Sequence, residues 1–106
     1  MPRPIKCRMI GNKPDIVLFK PRGIPVTMLE DIKLTFEELE AIRLKDLEDL
    51  NQSDAAARMS ISRATFQRIL KSARGKITDA LVNGKAIHIE GGNYKLSSFR
   101  RFCKCE

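Results

Sequence analysis

A chain of 106 residues, 42% of them hydrophobic, has room for one domain with a modest core and not for two independent ones. That apolar share excludes wholesale disorder, and no apolar run is long enough to cross a bilayer as a helix. The formal net charge of +7 is segregated: residues 1–26 carry +5, residues 27–54 carry −6 and residues 55–106 carry +8, so a polyanion would meet the ends of the chain and be repelled by its middle.

The N-terminal stretch MPRPIKCRMIGNKP is charged, with neither an apolar core nor a small-residue cleavage site. It is not a secretory signal, and a cytoplasmic location is expected. Residues 1–15 contain three prolines and no periodicity and read as an extended basic arm. Ile16-Val17-Leu18-Phe19 suits a short buried strand, and the prolines of Lys20-Pro21-Arg22-Gly23-Ile24-Pro25 favour a turn or extended path. Together residues 1–26 form a basic arm with a short strand.

Residues 34–50 carry the clearest helix. Thr35 and Glu38 stand at the spacing of a capping box. Phe36, Leu39, Ile42, Leu47 and Leu50 share one face, while Glu37, Glu40, Lys45, Glu48 and Asp49 are expected to be solvated.

Residues 51–71, NQSDAAARMSISRATFQRILK, read as two helices joined by a tight turn. Asn51 caps the first and Ser62 the second. Ala55, Ala56 and Met59 leave room for close helix approach, and Ser60-Ile61 makes the turn. Phe66, Ile69, Leu70 and Ala73 follow helical spacing. Phe36, Leu39, Ile42, Leu47, Leu50, Ala56, Met59, Ile61, Phe66, Ile69 and Leu70 are expected to form one core. Ile77, Leu81 and Val82 continue the spacing to an Asn83-Gly84 stop, with Gly75 a candidate kink. The helical core therefore spans 27–84. Residues 86–90 and 94–96, around Gly91-Gly92-Asn93, read as a β-hairpin wing that residues 16–19 could join. With the basic Cys-containing tail it makes up residues 85–106. The fold expected is mainly α: a three-helix helix-turn-helix core, a small β-hairpin wing and an extended basic N-terminal arm.

A capped helix with small inner residues and a basic, amide-bearing outer face is what a reader of the DNA major groove needs. Arg63 and Arg68 can fork onto guanine, Gln67 can pair with adenine, and Thr65 can touch a thymine methyl. Lys71 and Arg74 suit phosphates. The helix start around Asn51, Gln52 and Ser53 suits a phosphate contact through backbone N–H groups, and the capping Ser62 is counted with the DNA-binding residues. Many such turns place glycine where Ser60 stands, because the backbone there takes positive φ.

Four segments carry a family resemblance: MPRP followed by Cys7-Arg8, FKPRGIP at 19–25, LTFEELEAIRLKDLEDL at 34–50 and ALVNGKAIHIEGG at 80–92. They resemble the small prokaryotic proteins of domain-of-unknown-function family 134, also called uncharacterised protein family 0251. The resemblance implies a bacterial or archaeal protein with a helix-turn-helix similar to region four of sigma-70-type factors and a predicted DNA-binding role. This chain departs from that pattern with Ser60 in place of the usual glycine, and with Ser53 and Ala57 where acidic residues are often seen.

Cys103-Lys104-Cys105 could offer two thiolates to a soft metal such as zinc, with Cys7 and His88 as further ligands. Three free cysteines and a surface histidine are the favoured reading, so no cofactor is required. Double-stranded DNA is the expected partner, a homodimer the expected state, and sequence-specific transcription regulation the expected role. The alternative is an interaction module whose acidic face, Glu37, Glu40, Glu48 and Asp49, meets RNA polymerase or another basic partner. Six aromatic residues, three of them expected in the core, are too few for an RNA stacking platform. No phosphate loop or nucleophile setting points to an enzyme.

Overall fold

A computed structural model describes residues 8–11, 13–92 and 94–96, the last three by their backbone. The three cysteines and the tail, 97–106, lie outside the described residues. The described chain is mainly helical with small sheets. Its elements are β1 (Arg8–Ile10), β2 (Leu18–Phe19), β3 (Asp31–Leu34), α1 (Phe36–Ile42), α2 (Gln52–Arg58), α3 (Arg63–Asn83), β4 (Ala86–Ile89) and β5 (Tyr94–Leu96). A 3₁₀ turn spans Val26–Met28.

The first long helix begins where its capping box stands. Thr35 Oγ1 accepts from the Glu38 N–H at 3.2 Å, and Glu38 Oε1 accepts from the Thr35 N–H at 2.9 Å. Leu34 therefore belongs to β3, not to the helix. At the other end the expected helix to residue 50 is interrupted: α1 stops at Ile42 and a π-helical turn covers Arg43–Leu47. The Glu48 N–H reaches back to the Arg43 carbonyl at 2.8 Å. That wider turn takes its residues off the α-helical spacing, and Leu47, its last residue and expected in the core, is 77% exposed. Asp49, at φ 61°, ends the segment.

Both caps of the helix pair form. Asn51 Oδ1 accepts from the Asp54 N–H at 2.8 Å, and Ser62 Oγ accepts from the Thr65 N–H at 3.1 Å. Ser60, in the turn, stands at φ 59°, the left-handed conformation expected there. α3 then runs unbroken through Gly75 and ends at Gly84, whose φ of 65° makes the C-cap. The helix does not break at Gly75.

Two apolar clusters replace the single expected core, and α3 spans both. One packs Ala41, Leu44, Ala55, Ala56 and Met59 against Phe66, Ile69 and Leu70. The other packs Phe36 and Ala73 against Ile10, Leu34 and Ile89 of the sheets. Ile42 touches both.

A small β wing is present and β2 joins it, but it is not the expected hairpin of residues 86–90 and 94–96. β4 pairs parallel with β3 and antiparallel with β2, so both its edges are taken. β5 pairs instead with β1, in parallel. Gly91 and Gly92, both at positive φ, carry the chain across the start of α1. There the Gly91 carbonyl accepts from the Phe36 N–H at 3.2 Å, and a Cβ on Gly92 would lie 2.9 Å from Thr35 Cβ. Two further expectations are corrected. Residues 16–19 do not make a buried strand: Leu18 and Phe19 form a two-residue edge strand and both are exposed. The described end of the N-terminal arm is strand, with Ile10 buried and the Met9 N–H bonded to the Met59 carbonyl at 3.0 Å.

Candidate functional site

The surface expected to carry function is the outer side of α3 together with the start of α2. Phe66, Ile69, Leu70 and Ala73 anchor the helix inward. That leaves Arg63, Gln67, Arg68, Lys71 and Arg74 exposed and Thr65 half-buried. The first acidic residue of α3 is Asp79, so the first four turns contribute no carboxylate of their own.

These side chains are partly organised by one another. Gln52, the first residue of α2, accepts through Oε1 from Gln67 Nε2 at 2.7 Å and from Arg63 Nε at 3.4 Å. Ser62 and Thr65 share the cap, with Ser62 Oγ donating to Thr65 Oγ1 at 3.0 Å, and Arg68 Nη2 approaches the same Thr65 oxygen at 3.4 Å. Asn51 is held by Asp54 through both its oxygen and its nitrogen. Lys71 lines an open groove with Gln52, Gln67, Arg74 and Thr78.

The family is decided by sequence. The family model described as "Protein of unknown function DUF134" matches residues 1–97. The chain belongs to this family. It is 62% identical over 96 residues to a UPF0251 protein of Caldanaerobacter subterraneus, a match covering 91% of this chain and 81% of the relative. It is 59% identical over 96 residues to a UPF0251 protein of Thermoanaerobacter pseudethanolicus, with the same coverage. A UPF0251 protein of Moorella thermoacetica is 56% identical over 104 residues, covering 98% of this chain and 70% of the relative. No solved structure matches the chain.

Within this DUF134 chain, Arg74 stands apart from the other candidates. Its guanidinium forks onto Asp46 of the π turn, with Nη2–Oδ1 at 2.6 Å and Nε–Oδ2 at 3.2 Å. That hydrogen-bonded pairing raises the Arg74 pKa and lowers that of Asp46. Arg74 is therefore occupied where the sequence suggested a free phosphate contact. The partner is 28 residues away, and no local spacing announces it.

Of the acidic face expected at Glu37, Glu40, Glu48 and Asp49, the last two are exposed and the first two are covered. Glu40 is only 3% exposed. It grips Arg43 through both oxygens, at 2.8 and 2.7 Å, and accepts the Gly11 N–H at 2.9 Å. Glu37 is mostly covered and lies 3.9 Å from Arg8 Nε. Glu38 is buried at the junction of α1 and α3, accepting from Ser72 Oγ at 2.6 Å and Lys76 Nζ at 2.8 Å in addition to Thr35. Burial raises its pKa, but the Lys76, Ser72 and Thr35 hydrogen bonds outweigh that and hold it below the usual glutamate value.

Of the metal-ligand candidates only His88 is described. It is partly exposed, with Asp31 at 3.8 Å and Glu90 at 3.6 Å. Among the described residues no group of three His, Cys, Asp or Glu side chains is arranged to hold a metal ion, and no helix is long and apolar enough to cross a membrane.

Proposed function

We propose that the chain binds double-stranded DNA through the outer face of α3, as a sequence-specific transcription regulator of the helix-turn-helix type. The observation that carries this reading is the pair α2–α3 itself. Its two caps are formed, its tight turn passes through Ser60 at φ 59°, and Arg63, Gln67, Arg68 and Lys71 project from the first turns of the second helix. A helix of 21 residues is about 30 Å long, and in this docking mode only its N-terminal half meets base edges. The charge distribution agrees: the carboxylates of α1 are buried or paired behind this face, so a duplex approaching α3 meets net positive charge.

The alternative, an acidic docking face, loses Glu40 to burial and Glu37 to near-burial and keeps Glu48 and Asp49 exposed. The test of the DNA reading is fluorescence anisotropy against random-sequence duplex across a salt series. Three cations, Arg63, Arg68 and Lys71, on phosphates or base edges give a slope of about −3 in log affinity against log salt. Arg63→Ala combined with Arg68→Ala should lower that slope by about 2. A folded protein that does not bind at low salt would end this proposal.

A further inference from the structure

Gln52 lies on the first helix of the pair, yet its side chain is spent on the second. We infer that Gln52 is a positioning residue that sets the base preference of Arg63 and Gln67 together, so that the two read a guanine and an adenine as one unit. This rests on the DNA-binding reading above.

The polarity of the contact fixes its consequences. A guanidinium donates and never accepts, so the Gln52 atom facing Arg63 Nε is its carbonyl oxygen. The same oxygen lies 2.7 Å from the Gln67 amide, so Gln67 must turn its NH2 group toward Gln52. That settles the direction of the Gln67 amide, which an isolated exposed glutamine would leave free to flip. What Gln67 then offers outward is its oxygen and its second N–H. An acceptor beside a donor is the complement of adenine, which presents an N6 donor and an N7 acceptor in the major groove. Arg63, with Nε engaged, keeps Nη1 and Nη2 as a double donor, the complement of guanine O6 and N7.

Spacing joins the two contacts. Residues four apart on a helix lie on one face and about 6 Å apart along its axis. Base pairs stack about 3.4 Å apart. A G·C pair and an A·T pair within about two steps of one another therefore form the expected core of the target. Arg63 and Gln67 share one acceptor, so loss of that acceptor should blur both positions at once.

The experiment is selection from a random duplex library with sequencing of the bound pool, for the wild type, Gln52→Met and Gln52→Glu. Random-DNA affinity and thermal midpoint are measured on the same proteins. Methionine keeps the length and helix preference of glutamine but removes the acceptor. Glutamate keeps the acceptor. The wild type should select G·C and A·T at two nearby positions. Gln52→Met should lower the preference at both by about fivefold or more, the low end of what a bidentate contact discriminates, and should lower random-DNA affinity by less than that, with its midpoint unchanged. Gln52→Glu should retain the two-position preference while binding random DNA more weakly. An unchanged profile in Gln52→Met, loss at one position alone, or failure of Gln52→Glu to retain the preference would each overturn the inference. A wild type that binds DNA without base preference would overturn it and leave the DNA-binding proposal standing. A wild type that binds no DNA would remove both.

Discussion

Replacing Ser60 by glycine should make the protein more stable, which is unusual for a substitution that removes a side chain. Ser60 stands at φ 59°, where an L-residue brings Cβ too close to its own carbonyl at a cost of about 1–2 kcal/mol. Glycine is free of that cost but gains freedom in the unfolded chain, worth about 0.4–1 kcal/mol against it. Ser60 is exposed, so no packing is lost, and its N–H still bonds the Ala57 carbonyl at 3.1 Å. The balance is a gain of about 0.5–1 kcal/mol, or about 2–8 °C in melting temperature for a domain of this size. Thermal unfolding followed by circular dichroism reads it, with Ser60→Ala as the control. Alanine keeps the Cβ and should show no gain. A lower melting temperature for Ser60→Gly would refute the reasoning. So would an equal rise in Ser60→Ala, because the hydroxyl and not the backbone angle would then be responsible. Random-DNA affinity should not move.

Gly75→Ala should add about 1 kcal/mol of stability, because α3 is continuous there and an added Cβ meets nothing within 4 Å; thermal unfolding measures it. Glu38 makes stability depend on acid. Its folded-state pKa lies below the ordinary value of 4.5, so its stabilising effect is present above that value and is lost as pH falls through the lowered folded pKa. Glu38→Gln should therefore be less stable than wild type at neutral pH and converge with it toward acid, as read from melting temperature across pH. Asp46→Ala releases Arg74 and removes a carboxylate from beside it. It should tighten random-DNA binding a few-fold at low salt and steepen the salt slope by about 1; unchanged binding would mean that Arg74 never reaches DNA.

Local rules made much of this chain legible. The caps at Thr35, Asn51 and Ser62, the stop at Gly84 and the strained turn at Ser60 each depend on residues within four positions of one another. The same holds for the inward positions of Phe66, Ile69 and Leu70. What escaped was nonlocal. Nothing near Arg43 announces a π turn, and Leu47, off the α-helical spacing there, is exposed. Gly91-Gly92-Asn93 looks like hairpin chemistry, but β4 has both edges occupied by strands more than fifty residues upstream, and the glycines serve instead to pass close over Thr35. Glu40 lies where helical spacing predicts solvent. It is buried because Arg43 and the Gly11 N–H enclose it, and Gly11 belongs to a distant segment. The site shows the same division. Arg63, Gln67, Arg68 and Lys71 are exposed as their spacing implies, whereas the Gln52 link and the Asp46–Arg74 pair arise only when separate elements meet.

The most direct measurement is an NMR titration of the isotope-labelled protein with duplex DNA, following backbone amides. Binding through the outer face of α3 should move amides at residues 51–53 and 62–71 and leave those of β3 and β4 in place. Shifts confined to the sheet or to residues 36–50, or no shifts at low salt, would contradict the assignment of function to this helix.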